Sequence, residues 1–377
     1  MLTMGSLFDG AGTMPFAAML CGIKPVWSSE IEKFPCEVTK KRFPDVKQLG
    51  DVTKINGAEI EPVDIITFGS PCQDLSVAGT RAGLSGQRSG LFMEAVRIIK
   101  EMRENATRTN QPVRPRYAVW ENVPGAYSSN KGEDFRVVLE ELCKVVDSEV
   151  SIPRPTKGKW ERAGAIVGDA ASGGGYSVAW RTLDAQHWGV PQRRRRIWLV
   201  ADFGGESAPE ILFKRDGLHR SFAESRAARE RAAQTAEGGI GETSAAIVYA
   251  IGNGQADGTG LHEKVESLNC MHDAQAVIAI DRAAFNQGEN ARYDIGINED
   301  GVAQTVVAKG PGAICDKKIR RLTPTECARL QGMPSWWCAD IPHSDSAEYK
   351  MWGNGMALPN ALYVMEGFIE TKEAKND

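Results

Sequence analysis

The first hundred residues alternate short β-branched runs with amphipathic stretches, and no other feature constrains the fold as much. Residues 2–8 read as a strand, followed by the turn Asp9-Gly10-Ala11-Gly12-Thr13 and a helix to about Cys21. A second strand over 24–29 and a helix over 32–42 repeat the pattern. The run 63–68 is apolar, short and bounded by Pro62 and Gly69, so it reads as a buried strand. A Gly-rich stretch from Gln73 to Gly90 then leads into a helix over 91–103. This rhythm predicts an α/β protein with a mostly parallel, doubly wound sheet and helices on both faces.

The residues capable of chemistry fall at the ends of these strands. Cys72, in Gly69-Ser70-Pro71-Cys72-Gln73, directly follows the buried run, and open α/β sheets place their ligands at the carboxyl ends of strands. A cysteine among apolar residues is ordinarily inert packing, but its company argues otherwise. Glu121-Asn122-Val123-Pro124 ends a strand-like run over 117–120, and Gln192-Arg193-Arg194-Arg195-Arg196 precedes another over 197–200. A thiol, a carboxyl group and a guanidinium cluster thus share one kind of position. Phe8-Asp9-Gly10-Ala11-Gly12 lies between a strand and a helix, where glycines admit a ligand to the backbone and helix N–H groups face an anion. Glu30, about twenty residues on, is positioned to accept hydrogen bonds from a ribose. Asp51, after another strand end, is placed to meet an adenine amine. Either carboxylate alone reads as a solvated loop residue; together they point to a nucleoside-containing cofactor.

A chain of 377 residues makes one large or two ordinary domains. No run of about 18 apolar residues suggests a membrane span, and the start lacks a basic segment before an apolar one, so no secretory signal is expected. The eight cysteines include no Cys-x-x-Cys pair and the five histidines are scattered. No metal site is therefore expected, and reduced thiols in a cytoplasm are the default. The net charge of −4 argues against wholesale nucleic-acid binding, but its distribution is uneven. Nine arginines and one lysine fall between Arg193 and Arg231, and Lys317-Lys318-Ile319-Arg320-Arg321 forms a second basic cluster. After Phe203 the composition shifts to Gly, Asn, Asp and short β-branched runs, which predicts a β-rich second domain. Helical character returns over 323–331 and 359–370, and residues 150–175 read as a surface excursion.

Taken in order, these motifs resemble the DNA cytosine-5 methyltransferases of bacteria and phages along nearly the whole chain. The resemblance rests on the glycine turn, Pro71-Cys72-Gln73, Arg88-Ser89-Gly90-Leu91-Phe92, Glu121-Asn122-Val123 and the arginine run. Beyond the variable region it continues in Arg321-Leu322-Thr323-Pro324-Thr325-Glu326, Leu330-Gln331-Gly332 and Gly353-Asn354. It implies a Rossmann-like domain over 1–203 that binds S-adenosylmethionine, a target-recognition domain over 204–318, and a segment 319–377 that completes the first domain.

The chemistry explains the residue types. Carbon 5 of cytosine is a poor nucleophile until a thiolate adds at carbon 6, and covalent catalysis of this kind splits one hard step into easier ones. The resemblance makes Cys72 that nucleophile, with its thiolate favoured by nearby positive charge. Glu121 would hold ring nitrogen N3, Arg196 the 2-carbonyl oxygen, and Arg194 would orient the site; Arg193 and Arg195 fall outside the Gln-x-Arg-x-Arg pattern and read as phosphate contacts or surface. For the cofactor, Phe8 would pack on the adenine, Gly10 and Gly12 would form the turn, Glu30 would bind the ribose, and Asp51 and Val52 would flank the base. Pro71 and Asn354 would complete that pocket.

The implied partner is duplex DNA with its target base flipped out. Gln73, Arg81 and Arg88 would contact it from a loop that closes over the base. A monomer is expected, and a cognate restriction endonuclease is left open. Two departures stand out: Thr13 replaces a glycine frequent in the family, and Gly355-Met356 follows Asn354 where a small residue and Val are commoner. A related branch acting on tRNA carries Thr where Gln73 stands. A binding protein without activity would not need Cys72, Glu121 and Arg196 together.

Overall fold

A computed structural model describes residues 1–70, 90–170, 174–213 and 322–373, together with six short strands between 250 and 321. The chain divides into two compact units: one of Met1–Leu183, Arg195–Gly217 and Asn360–Asp377, the other of Asp184–Arg194 and Leu218–Pro359.

The first unit is built on an eight-stranded sheet in the order β3-β2-β1-β4-β5-β8-β7-β6. Its strands are β1 (Thr3–Leu7), β2 (Lys24–Ser29), β3 (Lys47–Gln48), β4 (Ile65–Phe68), β5 (Tyr117–Asn122), β6 (Ala163–Ala170), β7 (Gly174–Asp184) and β8 (Arg195–Asp202). Strands β3, β2, β1, β4 and β5 run parallel, whereas β8 runs antiparallel to β5 and β6 to β7. Between the parallel strands come the helices α1 (Thr13–Leu20), α2 (Lys33–Arg42) and α3 (Gly90–Arg108); α4 (Glu133–Cys143) follows β5 and the short α5 (Ala208–Leu212) follows β8. This is the doubly wound arrangement that the alternation predicted.

The core follows from residue periodicity. Helix α3 buries Phe92, Ala95, Val96, Ile99 and Met102, and α4 buries Phe135, Val138, Leu139 and Leu142, at spacings of three and four. Against them lie alternate strand residues: Ile66 and Phe68, Ala118 and Trp120, Ile197 and Leu199. The intervening Ile65, Val119, Trp198 and Val200 are equally buried, so these strands are covered on both faces, as a sheet of this kind requires. Each such side chain contributes about 1.5–3 kcal/mol by leaving water.

Residues 163–170 are not the surface excursion that composition suggested. They form β6, paired antiparallel with β7, with Gly164 opposite Trp180 and Gly168 opposite Tyr176. A Cβ on Gly164 would stand 2.3 Å from the Trp180 ring, and one on Gly168 2.6 Å from the Tyr176 ring. The glycines let the aromatic rings lie flat across the neighbouring strand, and they also dilute the alternation that would have marked a strand.

In the second unit, Ala250–Ile251 pairs with Leu261–His262, and Ile297–Asn298, Ala279–Ile280, Ala313–Cys315 and Ile319–Arg321 form a four-stranded antiparallel sheet. Helix α6 (Pro324–Leu330) opens on a capping box: Thr323 Oγ1 accepts from the Glu326 amide, and Glu326 Oε2 accepts from the Thr323 amide. Helix α7 (Asp345–Asn354) is N-capped by Ser344. The last helix, α8 (Leu358–Glu373), carries the chain from the second unit into the first, whose final segment begins at Asn360. Among the described residues no helix is long and apolar enough to cross a membrane.

Candidate active site

The carboxyl ends of β4 and β5 meet the start of β8. Antiparallel pairing sets Glu121 opposite Trp198 and Asn122 opposite Ile197, which brings the first residues of β8 beside the last of β5. Arg196 Nε lies 3.1 Å from Glu121 Oε1, with both side chains largely withdrawn from solvent. Next to this pair, Ser70 is fixed twice. Its hydroxyl accepts from Trp120 Nε1 at 3.2 Å and its carbonyl from Asn122 Nδ2 at 3.0 Å. The Asn122 amide oxygen turns back to accept from the Val123 N–H at 2.8 Å. The backbone two residues before Cys72 is therefore pinned to the strand that carries Glu121. Cys72 itself lies outside the described residues, as do Pro71, Gln73, Arg81 and Arg88.

A second cluster forms around the glycine turn after β1. Phe8, Gly10 and Gly12 all have positive φ, at 56°, 55° and 76°. Gly12 cannot be replaced without movement, because a Cβ would stand 2.6 Å from the Phe43 ring as well as occupying the left-handed region. Gly10 faces open space on its Cβ side, and its N–H donates to Glu30 Oε2 at 2.8 Å. Glu30 Oε1 accepts from the amides of Ile31 and Glu32. Thus β1 and β2 are tied together at their carboxyl ends through the acid expected to meet a ribose.

Asp9 is buried in the same turn. Burial pushes its carboxyl up to about 7; the Ser6 hydroxyl, donating at 2.7 Å, opposes that rise, and the charge of Glu30 adds to it. Asp51 caps the 3-10 turn Val52–Lys54. Its carboxylate is held below the usual range by the Thr53 hydroxyl, at 2.8 Å, and the Thr53 amide, at 3.0 Å. Val52 is buried beneath it.

The remaining predicted residues lie in the second unit. The Arg194 guanidinium, which is buried, donates to the carbonyls of Gly353 and Gly355, on either side of Asn354. The Arg194 amide donates to Asp184 Oδ1 at 3.1 Å. Gln331 reaches the same segment: its side-chain amide donates to the Trp352 carbonyl, and its own carbonyl accepts from the Leu358 N–H at 2.8 Å. Three motifs far apart in sequence converge here on the backbone around Asn354.

The carboxyl rim of an α/β sheet, a glycine turn and the Glu121–Arg196 pair agree with one family, and the C-5 cytosine-specific DNA methylase model matches residues 2–145 and 165–370. The chain belongs to this family. Relatives include the type II methyltransferase M1.ScrFI of Lactococcus lactis subsp. cremoris, 28% identical over 93% of this chain and 73% of that protein. M.HhaI of Haemophilus parahaemolyticus is 23% identical over 95% and 91%. The chain is also 29% identical to the "DNA N-6-adenine-methyltransferase" of Escherichia phage P1 over 88% of its own length, and spans about half (52%) of that longer protein.

Among solved structures, S. pombe Dnmt2 methyltransferase covers 99% of both chains with a TM-score of 0.54 at 16% identity. Entamoeba histolytica methyltransferase EhMeth covers 98% of both with a TM-score of 0.55 at 12% identity. The shared fold of these methylases is the Rossmann-like methyltransferase sheet.

Sequence reading passed over four residues of this site. Ser70 and Gln331 each act through two hydrogen bonds that no spacing reveals. The burial of Asp9 depends on tertiary packing. Ile31 did carry a signal, an apolar residue between two acids, and its side chain is 72% exposed beside Glu30.

Proposed function

We propose that this chain transfers a methyl group from S-adenosylmethionine to carbon 5 of a flipped-out cytosine in a specific duplex DNA sequence, through a covalent bond between Cys72 and carbon 6. The observation that carries this reading is the Glu121–Arg196 pair beside Ser70, whose backbone is fixed two residues ahead of Cys72. The Cys72 thiolate forms the bond to carbon 6 while Glu121 shares a proton with N3, and electron density moves to carbon 5. Arg196 holds the 2-carbonyl oxygen as charge develops, in a setting where fixed charges act more strongly than in water. Once carbon 5 carries the methyl group, a base removes its proton, the ring double bond re-forms, and Cys72 leaves.

The glycine turn suits the methyl donor. Gly10 leaves room for a ligand where any other residue would place a side chain. Phe8 and the exposed Ile31 offer apolar surface to an adenine, Glu30 accepts from a ribose, Asp51 and Val52 flank the base, and Gly12 keeps the turn. Pro71 and Asn354 are the remaining candidates for holding the donor, and Arg194 fixes the backbone on both sides of Asn354. Bound there, S-adenosylmethionine supplies an electrophilic methyl group. Residues 204–318 serve as the target-recognition region, where phosphate contacts position the protein and base contacts specify the site. Gln73, Arg81 and Arg88 contact the DNA near the extruded base.

The test is expression in a bacterial host free of cytosine methylation, with methylation sequencing of its DNA, for the natural chain and for Cys72→Ala. Methylcytosine at one short recurring sequence, absent with the variant, is the expected result. Methylation by Cys72→Ala would overturn the covalent route, and an unmethylated genome despite well-folded natural protein would overturn the DNA substrate. Trapping on duplex DNA containing 5-fluorocytosine reads the adduct directly.

A further inference from the structure

The family match leaves out residues 146–164, and this segment carries features that the reaction does not use. Its middle, Pro153-Arg154-Pro155-Thr156-Lys157-Gly158-Lys159, holds three cations and no acid. It is anchored by Trp160. The Trp160 indole donates to the Gly132 carbonyl at 2.8 Å, its amide donates to Tyr127 O at 3.1 Å, and its ring packs edge-on against Phe135 and Trp180. A turn closed by Gly158 N–H to Pro155 O at 3.0 Å then presents Lys157 and Lys159 to solvent. The Cβ side of Gly158 lies 3.7 Å from Lys131 Cβ, so a third lysine stands beside them.

Lys131 is held there at some cost. Asn130 and Lys131 both adopt the left-handed region, at φ 47° and 55°, which costs roughly 1–2 kcal/mol for an ordinary L-residue and is rare in pairs. The carboxylate nearest in the chain is already occupied: Glu133 accepts from Arg136 at 2.8 Å through Oε1 and forms an ion pair with Arg154, 2.8 Å from Oε2. Asp134 is buried and accepts from the Ser129 hydroxyl. Glu161 is exposed next to Trp160. Among the described residues Lys131, Lys157 and Lys159 form no ion pair.

Topology puts this group on the working rim of the sheet. The chain leaves the carboxyl end of β5 at Asn122, makes the 3-10 turns Pro124–Tyr127 and Ser129–Gly132, and enters α4. The amino-terminal end of α4, and the turn packed on it, therefore share a rim with Glu121 and Ser70. Three exposed lysines at one stiffened turn, with no ion pair among the described residues, suit a run of phosphates.

We propose that Lys131, Lys157 and Lys159 form an accessory phosphate-binding surface that grips the backbone of duplex DNA outside the target-recognition region. The proposal rests on the DNA methyltransferase reading and adds a contact for which Lys157 and Lys159 come from the segment that the family match leaves out, and Lys131 from within it. Each phosphate contact contributes about 0.9 to the slope of log binding constant against log salt. The test compares the full-length triple variant Lys131→Gln, Lys157→Gln, Lys159→Gln with a charge-matched control, Lys24→Gln, Lys40→Gln, Lys47→Gln. The control lysines are exposed at the starts of β2 and β3 and the end of α2, on the opposite rim.

Binding to a mixed-sequence duplex of about 30 base pairs is followed by fluorescence anisotropy from about 50 to 300 mM salt, with thermal unfolding confirming that each variant is folded. The rim variant is expected to lower the magnitude of the slope by about 2–3 and to bind about tenfold more weakly near 150 mM, while the control keeps the natural slope. Unchanged slope in the rim variant, or equal losses in both variants, would overturn the proposal while leaving the functional reading intact. A natural chain that fails to bind duplex DNA at all would overturn both.

Discussion

Asp9 concentrates the physical tension of the glycine turn in one carboxyl group. Its side chain is buried between Ser6 and Glu30, and burial lifts its pKa to about 7 from an ordinary value near 3.8. The folded protein therefore keeps a proton that the unfolded chain gives up above pH 4. Stability from this group is full below about pH 4, falls as pH climbs to about 7, and stays lost above it. The gap corresponds to at most about 4 kcal/mol. Asp9→Asn removes the titration while keeping the shape, so the variant should be more stable than the natural chain at pH 8 and should lose that advantage towards pH 5. Urea unfolding midpoints across this range check the claim; parallel profiles for the two proteins would refute it. At this scale the sequence was partly legible. Glu30 could be placed by its distance from the glycine turn, because a βαβ unit has a nearly fixed length, whereas Asp9 looked like any loop acid because nothing local records burial.

Helix α3 links two parts of the site through a polar stripe beside its apolar face. Arg97, Glu101 and Asn105 lie four residues apart, on one face. Arg97 donates to the carbonyls of Ile55, at 2.8 Å, and Val52, at 3.3 Å; Glu101 accepts from the Gly57 amide at 2.7 Å; Asn105 donates to Ala58 O at 3.0 Å. Glu94 and Glu101 hold the guanidinium in turn. This ladder fixes the segment from Val52 to Ala58, and with it the turn proposed to flank the adenine, to the helix that begins directly after residues 71–89. Hydrogen bonds to charged groups are worth about 1.5–3 kcal/mol, so Arg97→Met should raise KM for S-adenosylmethionine about tenfold with little change in kcat.

Arg103 provides the control. It holds the Pro115 and Phe203 carbonyls from the same helix, and Arg103→Met should lower thermal stability without moving KM. Equal KM shifts in both variants would show that the ladder acts through global stability alone. The apolar face of α3 made the helix predictable from its spacing, but the stripe reads in sequence as a solvated face. Only the chain laid against it shows otherwise. The same asymmetry explains α7, whose apolar periodicity is weak and whose Ser344 cap went unnoticed, and β6, whose glycines masked its alternation.

For the whole molecule, the first unit is assembled from three separate stretches, and its last comes from the far end of the chain. The order of motifs leads to the expectation that residues 319–377 complete the first domain; the stretch that joins the first unit is Asn360–Asp377, and Gly353-Asn354 lies in the second. The packing that secures the return was not readable, since it depends on single contacts across more than a hundred residues. In α8, Phe368 packs edge-on against Tyr117 of β5, with ring centroids 5.1 Å apart. Tyr363 donates to Leu212 O at 2.9 Å and accepts from Arg181 at 3.0 Å. Ala361, Val364 and Met365 are fully buried.

A terminal helix that merely decorated the fold would tolerate truncation of its side chains, whereas one that closes the core would not. Phe→Ala in a packed core costs about 3–5 kcal/mol, a large share of the 5–15 kcal/mol that holds a domain together. Phe368→Ala should accordingly lower the unfolding free energy by that amount, read as a lower urea midpoint at an unchanged m-value. It should also raise hydrogen exchange in β5, which carries Tyr117 and ends at Glu121, because the helix and that strand share one cooperative core. If exchange rises in α8 alone and β5 keeps its protection, the terminal helix frays independently and the three stretches do not form one folding unit.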